Sequence, residues 1–231
     1  MAALKDLLEK VDYECIRGTL ERDVTDIIYD SRKVVKGSMF ICIPGAIVDG
    51  HKFAADAVLA GAGVIVVEKE TEIPAGADVT VLKVKDTHYA MAYLCAAFFK
   101  YPAEEMKIIG ITGTKGKTTT TYLVKSILEH AGRKVGLIGT IEIIIGDTHI
   151  QADHTTPESY LIQKYFRQMA DAGCDTVVME VSSQGLMLHR TQGFVFDFGI
   201  FTNLEPDHIG AGEHKDFADY LRCKGLLFQQ C

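Results

Sequence analysis

The residues best equipped for chemistry are a glycine- and threonine-rich run, Gly110–Thr119 (GITGTKGKTT). It overlaps the end of the apolar stretch MKIIGIT (106–112) and runs into a helical pattern, TTTTYLVKSILEHAG (118–132). A strand-to-helix turn of this composition is suited to cradling phosphate. Its glycines let successive backbone N–H groups converge on oxyanions, and the helix start adds partial positive charge. In this reading Gly113, Thr114, Lys115, Gly116, Lys117, Thr118 and Thr119 form the cradle. Lys117 reaches the β- and γ-phosphates of a nucleotide, and Thr118 offers its hydroxyl to Mg²⁺. The spacing departs from the usual GxxxxGK[ST], because Ile111 stands where the first glycine is expected. The plain alternative is a Gly/Thr-rich turn with no ligand.

Further candidates cluster at the ends of two other apolar runs. Glu180 closes TVVME (176–180). Beside a phosphate loop such an acid is a Mg²⁺ ligand or a water-positioning group, and elsewhere it is a surface carboxylate. Ser182 and Ser183 follow directly, as ligand-facing hydroxyls or ordinary turn residues. Asn203, Asp207 and His208 lie in TNLEPDHIG (202–210), past the next run. Lys224 falls on the apolar stripe of Phe217, Tyr220, Leu221, Leu227 and Phe228. It is either a lysine with its stem packed and its head in water, or a buried one that needs a partner or a changed charge state.

The elements that must position these groups alternate between strand and helix. Residues 1–10 read as an amphipathic helix. Ile27–Tyr29, Ser38–Ile43, 64–68 (VIVVE) and 79–84 (VTVLKV) read as strands, with helices over 51–63 and 87–100. YPAEE (101–105) reads as a linker. The second half gives a strand at 106–112, a helix to Gly132, a strand region at 134–145 and a turn at Gly146–Asp147. A helix at 158–172 and strands at 175–181 and 196–204 follow. This order predicts an α/β chain whose second half is a doubly wound parallel sheet, with the strand ends facing a crevice. Leu123, Ile127 and Leu128 mark the apolar spacing of the helix after the loop.

Composition narrows the function classes. The chain has 231 residues, 48% of them hydrophobic, and a net charge of −7. A packed core is attainable, and the acidic balance disfavours nucleic-acid or anionic-membrane binding. No apolar run approaches the ~20 residues of a membrane span, and the N-terminus lacks a signal-peptide pattern, so the expected location is the cytoplasm. The six cysteines are scattered without a CxxC pair, which suggests reduced thiols and argues against a zinc site. The final pattern, HKDFADYLRCKGLLFQQC (214–231), reads as one helix without a stop signal, since Gly225 comes too early to end it. The expectation is a chain that ends inside a domain and leaves apolar surface uncovered there.

Together these segments resemble the Mur ligases, the ATP-dependent enzymes that build the peptidoglycan stem peptide. GITGTKGKTT resembles the family's ATP loop, including its departure from the standard spacing. MEVSSQGLMLHR (179–190) and FTNLEPDH (201–208) resemble the substrate and metal segments of the tripeptide-forming branch. DYLRCKGLLF (219–228) resembles the helix that bears a carbamylated lysine, and DSRKVVKGSMFICIPGAIVDGHKF (30–53) resembles the uridine-binding domain.

The resemblance implies a small N-terminal α/β uridine-binding domain (1–103). A truncated P-loop domain with a doubly wound parallel sheet (104–231) follows, without the family's C-terminal domain. It implies Mg²⁺ held by Thr118, Glu180, His208 and carbamylated Lys224, with Lys117 and Lys224 as the catalytic lysines. Ser31, Thr155, Thr156, Ser182 and Arg190 would contact the UDP-MurNAc-dipeptide. The implied reaction adds a diamino acid, L-lysine or meso-diaminopimelate, through an acyl phosphate, with no obligate protein partner. A non-catalytic nucleotide- and UDP-sugar-binding fragment is the competing reading. A P-loop small-molecule kinase would leave the N-terminal resemblance unexplained. His154, Gln184 and Leu188 depart from residues common in the family and bear on individual substrate contacts.

Overall fold

The computed structural model describes residues 1–45, 48–210 and 213–231. Ala46 and Ile47, inside the 30–53 segment, lie outside the described residues, as do Ala211 and Gly212. The chain divides into two compact units, Met1–Phe98 and Phe99–Cys231.

The first unit contains β1 (Ala2–Ala3), α1 (Leu4–Leu7), β2 (Glu14–Arg17), β3 (Asp23–Val24), β4 (Ile27–Ile28) and β5 (Met39–Ile41). After these come α2 (Ala54–Leu59), β6 (Val64–Val67), β7 (Thr80–Lys83) and α3 (Thr87–Phe98). The main sheet runs β2-β7-β6-β5-β4, parallel except for β2. All four residues of β6 are buried, as expected for a strand with neighbours on both edges and both faces covered. Ile65 and Val67 pack with Ala54 and Ala57 of α2. The helix expected over 1–10 is only four residues long. Ala2 and Ala3 pair instead with Val24 and Asp23, and no side chain caps the helix start. The helix expected over 51–63 begins as a 3-10 turn at Gly50–Phe53.

The second unit opens with a 3-10 turn at Pro102–Glu105, in the segment read as a linker. Glu105 there forms an ion pair with Arg167. Then come β8 (Lys107–Thr112), α4 (Lys117–His130), β9 (Val135–Ile138), β10 (Glu142–Ile145) and β11 (Thr148–Gln151). The remaining elements are α5 (Ser159–Asp171), β12 (Thr176–Glu180), α6 (Ser183–Met187), β13 (Phe198–Phe201) and α7 (Phe217–Gly225). The sheet order is β11-β10-β9-β12-β8-β13. Strands β9, β12, β8 and β13 are parallel, while β10 and β11 form an antiparallel extension. The single strand region expected at 134–145 is thus two strands reversed at Gly139–Ile141. The sheet is mixed at that end.

Alternation along the central strands sends side chains to both faces. Ile108, Val177 and Met179 join Ile162, Phe166 and Leu227, while Ile109, Ile111 and Val178 pack with Val124 and Leu128 of α4. Helices therefore cover both faces. Leu123 and Ile127 point outward instead, at 58% and 67% exposure. β8 lies between β12 and β13, with the chain leaving it in both directions. Its carboxyl end is a switch point where an open sheet places a crevice.

The last segment departs from expectation as well. α7 ends at Gly225, and a 3-10 turn covers Leu226–Gln230. Tyr220, Lys224 and Leu227 are buried, whereas Phe217, Leu221 and Phe228 are partly exposed, as is Phe198 on the edge strand β13. No helix among the described residues is long and apolar enough to cross a membrane.

Candidate active site

The turn from β8 to α4 depends on two glycines with positive φ, Gly113 at 143° and Gly116 at 82°. A Cβ on Gly113 would lie 2.0 Å from Thr202 Oγ1, so only glycine fits. Lys117 is the first residue of α4. Its Nζ folds back to donate to the carbonyls of Gly113 (2.9 Å) and Thr114 (3.0 Å). The segment after β13 fixes the loop. Thr114 N–H donates to Asn203 O, Lys115 N–H to Asn203 Oδ1 and Asn203 Nδ2 to Lys115 O, at 2.9–3.0 Å. Thr202 Oγ1 donates to Lys115 O, and Lys115 Nζ pairs with Glu205 at 2.5 Å. Thr119 is exposed in the first turn. The brace formed by Thr202 and Glu205 was not foreseen. Only the position of 202–205 at a strand's carboxyl end hinted at it.

Glu180 ends β12 beside β8 and is 1% exposed. Its Oε2 accepts from Thr118 Oγ1 (3.0 Å) and Thr140 Oγ1 (3.1 Å), and its Oε1 accepts from Thr140 N–H (2.9 Å). A Cβ on Gly139 would lie 2.7 Å from Oε1, so the β9–β10 reversal makes room for the carboxylate. Gly139 and Thr140 are site residues that the sequence reading missed. They sit about 40 positions from Glu180, with no motif of their own. A threonine hydroxyl against a buried carboxylate is the oxygen donor chemistry that Mg²⁺ takes.

A cleft of about 200 Å³ is lined by Lys117, Thr155, Thr156, Ser182, Arg190 and His208. Thr156 Oγ1 donates to Glu180 O and accepts from Ser182 N–H. Ser182 Oγ caps α6 by accepting from Gly185 N–H. Arg190 donates to Thr156 O (3.0 Å) and pairs with Glu158 (2.5 Å). Arg190 Nε and Glu158 Oε2 are buried without a hydrogen-bond partner. Thr155 Oγ1 lies 3.0 Å from Thr140 Oγ1. Two of the departing residues, His154 and Gln184, also line the cleft. Leu188 is the C-cap of α6. His208 is half exposed at a φ of 53°, its Nδ1 2.9 Å from Glu213.

Lys224 is only 2% exposed, which decides between the two readings of this residue. Its Nζ donates to Gly113 O (2.8 Å) and sits 4.5 Å from the centre of the Tyr220 ring. It therefore stands behind the loop and not among the groups lining the cleft. Lys117 and Lys224 converge on the same carbonyl. Burial, and then the Lys117 charge, pull Lys224 down to about 8, with Asp207 opposing. Burial also lowers Lys117, against Glu180 and Asp207. Ser31 belongs to the first unit, where it starts a 3-10 turn capped by Asp30.

Residues 111–231, more than half of the chain, match the family model described as the Mur ligase middle domain. The chain belongs to the Mur ligase family. A second model, described as Mur ligase family, catalytic domain, matches residues 23–99.

Curated relatives of this Mur ligase chain are named UDP-N-acetylmuramoyl-L-alanyl-D-glutamate–2,6-diaminopimelate ligase, and two of them illustrate the match. The one from Clostridium perfringens is 46% identical over 98% of the chain, and the one from Cytophaga hutchinsonii is 42% identical over 97%. The chain spans 46% of the length of each. A solved structure bearing the same ligase name superposes at a TM-score of 0.80 and 24% identity, over 99% of this chain and 45% of that one. MurF from Acinetobacter baumannii superposes at 0.61 and 22% identity, over 99% and 46%. At these identities the structures support the fold alone.

Proposed function

We propose that residues 1–231 are the UDP-sugar-binding (1–103) and ATP-binding (104–231) portions of a ligase of peptidoglycan synthesis. The enzyme would join a diamino acid to UDP-MurNAc-L-Ala-D-Glu at the expense of ATP. The observation that carries the reading is the Lys117 loop beside the Thr118–Glu180 pair, inside the middle-domain match. The relatives' names favour 2,6-diaminopimelate over lysine as the incoming amino acid. The free cysteines among the described residues fit a cytoplasmic enzyme.

A free carboxylate is a poor electrophile. Its oxygen attacks the γ-phosphorus of ATP, ADP leaves, and an acyl phosphate results. The amine then attacks the acyl carbon, phosphate leaves, and the amine gives up a proton. The protein's part is alignment and charge neutralisation. Lys117 exchanges its two loop carbonyls for phosphate oxygens, and the loop N–H groups hold the rest. Thr118, Glu180 and His208 would hold Mg²⁺, which supplies positive charge at the transferring phosphoryl group. Arg190, with Nε unsatisfied, is placed to clamp an anionic part of the sugar-peptide beside Thr155, Thr156 and Ser182. Ser31 would contact uridine. Lys224 would add through its neutral amine to CO₂ and release a proton. The resulting carbamate replaces a buried ammonium with an anionic oxygen donor, and the shared Gly113 carbonyl and the lowered pKa support that step.

The test is calorimetric titration of the 231-residue chain with ATP and Mg²⁺, then with the UDP-MurNAc-dipeptide, while phosphate release is monitored. Binding of both is expected, with Lys117→Ala weakening ATP by about 10–100-fold. Release above background on adding diaminopimelate would show that these residues suffice for turnover. Binding without release would make them the binding portion only. A folded chain that takes up neither ligand refutes the reading.

A further inference from the structure

The helix that buries Lys224 also carries Asp219 and Cys223, which are four positions apart and share a face. His214 comes just before the helix. Its Nδ1 lies 3.3 Å from Asp219 Oδ2, and Cys223 Sγ lies 3.9 Å from Asp219 Oδ1. The three ligand atoms all fall within 4.8 Å of one another. His214 and Cys223 are buried, and the Asp219 side chain is 12% exposed. The second nitrogen of His214, Nε2, is 2.8 Å from Ser183 Oγ, so the ring is held from behind in the way metal-binding histidines are. One cation already occupies these donors. Arg222 donates from its N–H₂ group to Asp219 Oδ1 (2.8 Å) and to Cys223 Sγ (3.3 Å), and from Nε to Asp219 Oδ1 (3.3 Å). Its side chain is 61% exposed, so it can give up these contacts for water.

We propose that His214, Asp219 and Cys223 form a transition-metal site of the zinc class, with Arg222 holding the acid and the thiol when the metal is away. A nitrogen, an oxygen and a sulfur donor make a set that Zn²⁺ accepts, whereas Mg²⁺ does not select sulfur. Tetrahedral zinc, with bonds of about 2.0–2.3 Å, sets its donors roughly 3.3–3.7 Å apart. The observed separations need only small side-chain rotations to meet this. Three protein donors leave the fourth position to water. Scattered cysteines with no CxxC pair concealed such a site in the sequence. The fold assembles it from one cysteine, one helical neighbour and one upstream histidine. None of the three belongs to the Thr118, Glu180 and His208 set, although His214 lines the same cleft. The metal readout below needs neither ATP nor the sugar-peptide, so its failure and that of the ligase reading are distinguishable.

The test titrates Co²⁺, then competing Zn²⁺, into the 231-residue chain in reducing, chelator-free buffer with excess Mg²⁺. The expected result is one equivalent bound, with the near-ultraviolet thiolate-to-cobalt band that a cysteine ligand produces. Cys223→Ser should abolish the band, while Cys15→Ser and Cys231→Ser, at the two exposed thiols, keep it. His214→Ala should weaken binding at least tenfold, and Arg222→Ala should strengthen it about tenfold by removing the competing cation. Circular dichroism checks that each variant is folded, and Asp219→Asn replaces Cys223→Ser if the latter is not. The proposal is overturned if the wild-type chain gives no band, if the band survives loss of Cys223 or Asp219, or if affinity is indifferent to Arg222.

Discussion

Both units are built on largely parallel sheets, and they satisfy their polar groups in different ways. In the first, polar groups close on one another. His51 uses both ring nitrogens, Nδ1 against Asp49 (2.6 Å) and Nε2 accepting from Glu68 N–H (3.1 Å), which places the proton on Nδ1. Asp30 takes Arg32 in a two-pronged pair. In the second unit Glu180 and Lys224 are both buried, yet their described hydrogen bonds run to neutral hydroxyls, a backbone N–H and a carbonyl. A buried charge without a counter-charge is costly, and it persists where a ligand is meant to complete it. The polar groups named in the first unit close on charged or polar partners, whereas Glu180 and Lys224 in the second hydrogen-bond only to neutral groups among the described residues, even though other charges there, such as Arg167 and Glu105, are paired.

The largest test of that contrast substitutes one glycine in each unit. Gly113→Ala places a methyl 2.0 Å from Thr202 Oγ1 at a φ of 143°, and should cost about 4 kcal/mol. Gly76→Ala, at a φ of 74° in the first unit with nothing within 4 Å of the new carbon, should cost about 1 kcal/mol. Hydrogen exchange resolved by segment would show the first loss in β8 and α4, and the second only near β7. Equal costs would mean that the phosphate loop is no more tightly braced than an open turn.

Next in size is the pH response of Lys224. Its pKa falls from 10.5 to about 8 on folding, so between those values the unfolded chain binds more protons than the folded one. Stability therefore rises with pH across that window, by on the order of 3 kcal/mol. The penalty is full below about pH 8. Lys224→Met removes the titrating group. In bicarbonate-free buffer the variant should be the more stable protein near neutrality, and its advantage should vanish by about pH 10. Urea midpoints for the two proteins across that range decide the matter. A constant difference would show that Lys224 is not a strained charge, and would erase the contrast at its main point.

Much of this arrangement was legible as pattern. The glycine-rich loop and the apolar run that ends in Glu180 are local signals, and each appears where periodicity and turn chemistry put it. The stripe around Lys224 is only partly realised, since Tyr220 and Leu227 are buried but Phe217, Leu221 and Phe228 are exposed. Pairings between distant segments were not legible. Thr140 grips Glu180 across 40 positions, and Asn203 grips Lys115 across 88. Periodicity reports which face a side chain occupies, not what stands opposite. The reversal at Gly139 escaped for a related reason, because two apolar strands joined by a short turn read as one run. Leu123 and Ile127 have the spacing of a buried stripe but point outward, since α4 meets the sheet through Val124 and Leu128.

The smallest effect belongs to the closed pairs of the first unit. Asp49 accepts from His51 N–H (3.0 Å) and meets the His51 ring and Lys69. The Lys69 ammonium, followed by the His51 N–H, holds its carboxyl well below the usual carboxylate range. Asp49→Ala removes a cap and leaves a buried imidazole N–H unpaired, at a cost of about 1–2 kcal/mol. A depressed carboxyl pKa contributes stability that is present above the unfolded value, near about 4, and is lost as pH falls toward the folded one. The gap between wild type and variant should therefore stay level from neutrality to about pH 5 and close only in stronger acid. Denaturant midpoints along that range give the answer. A gap that closes near neutrality would mean that the Asp49 carboxyl is not held low, and the first unit would then carry an acid as open as Glu180 in the second.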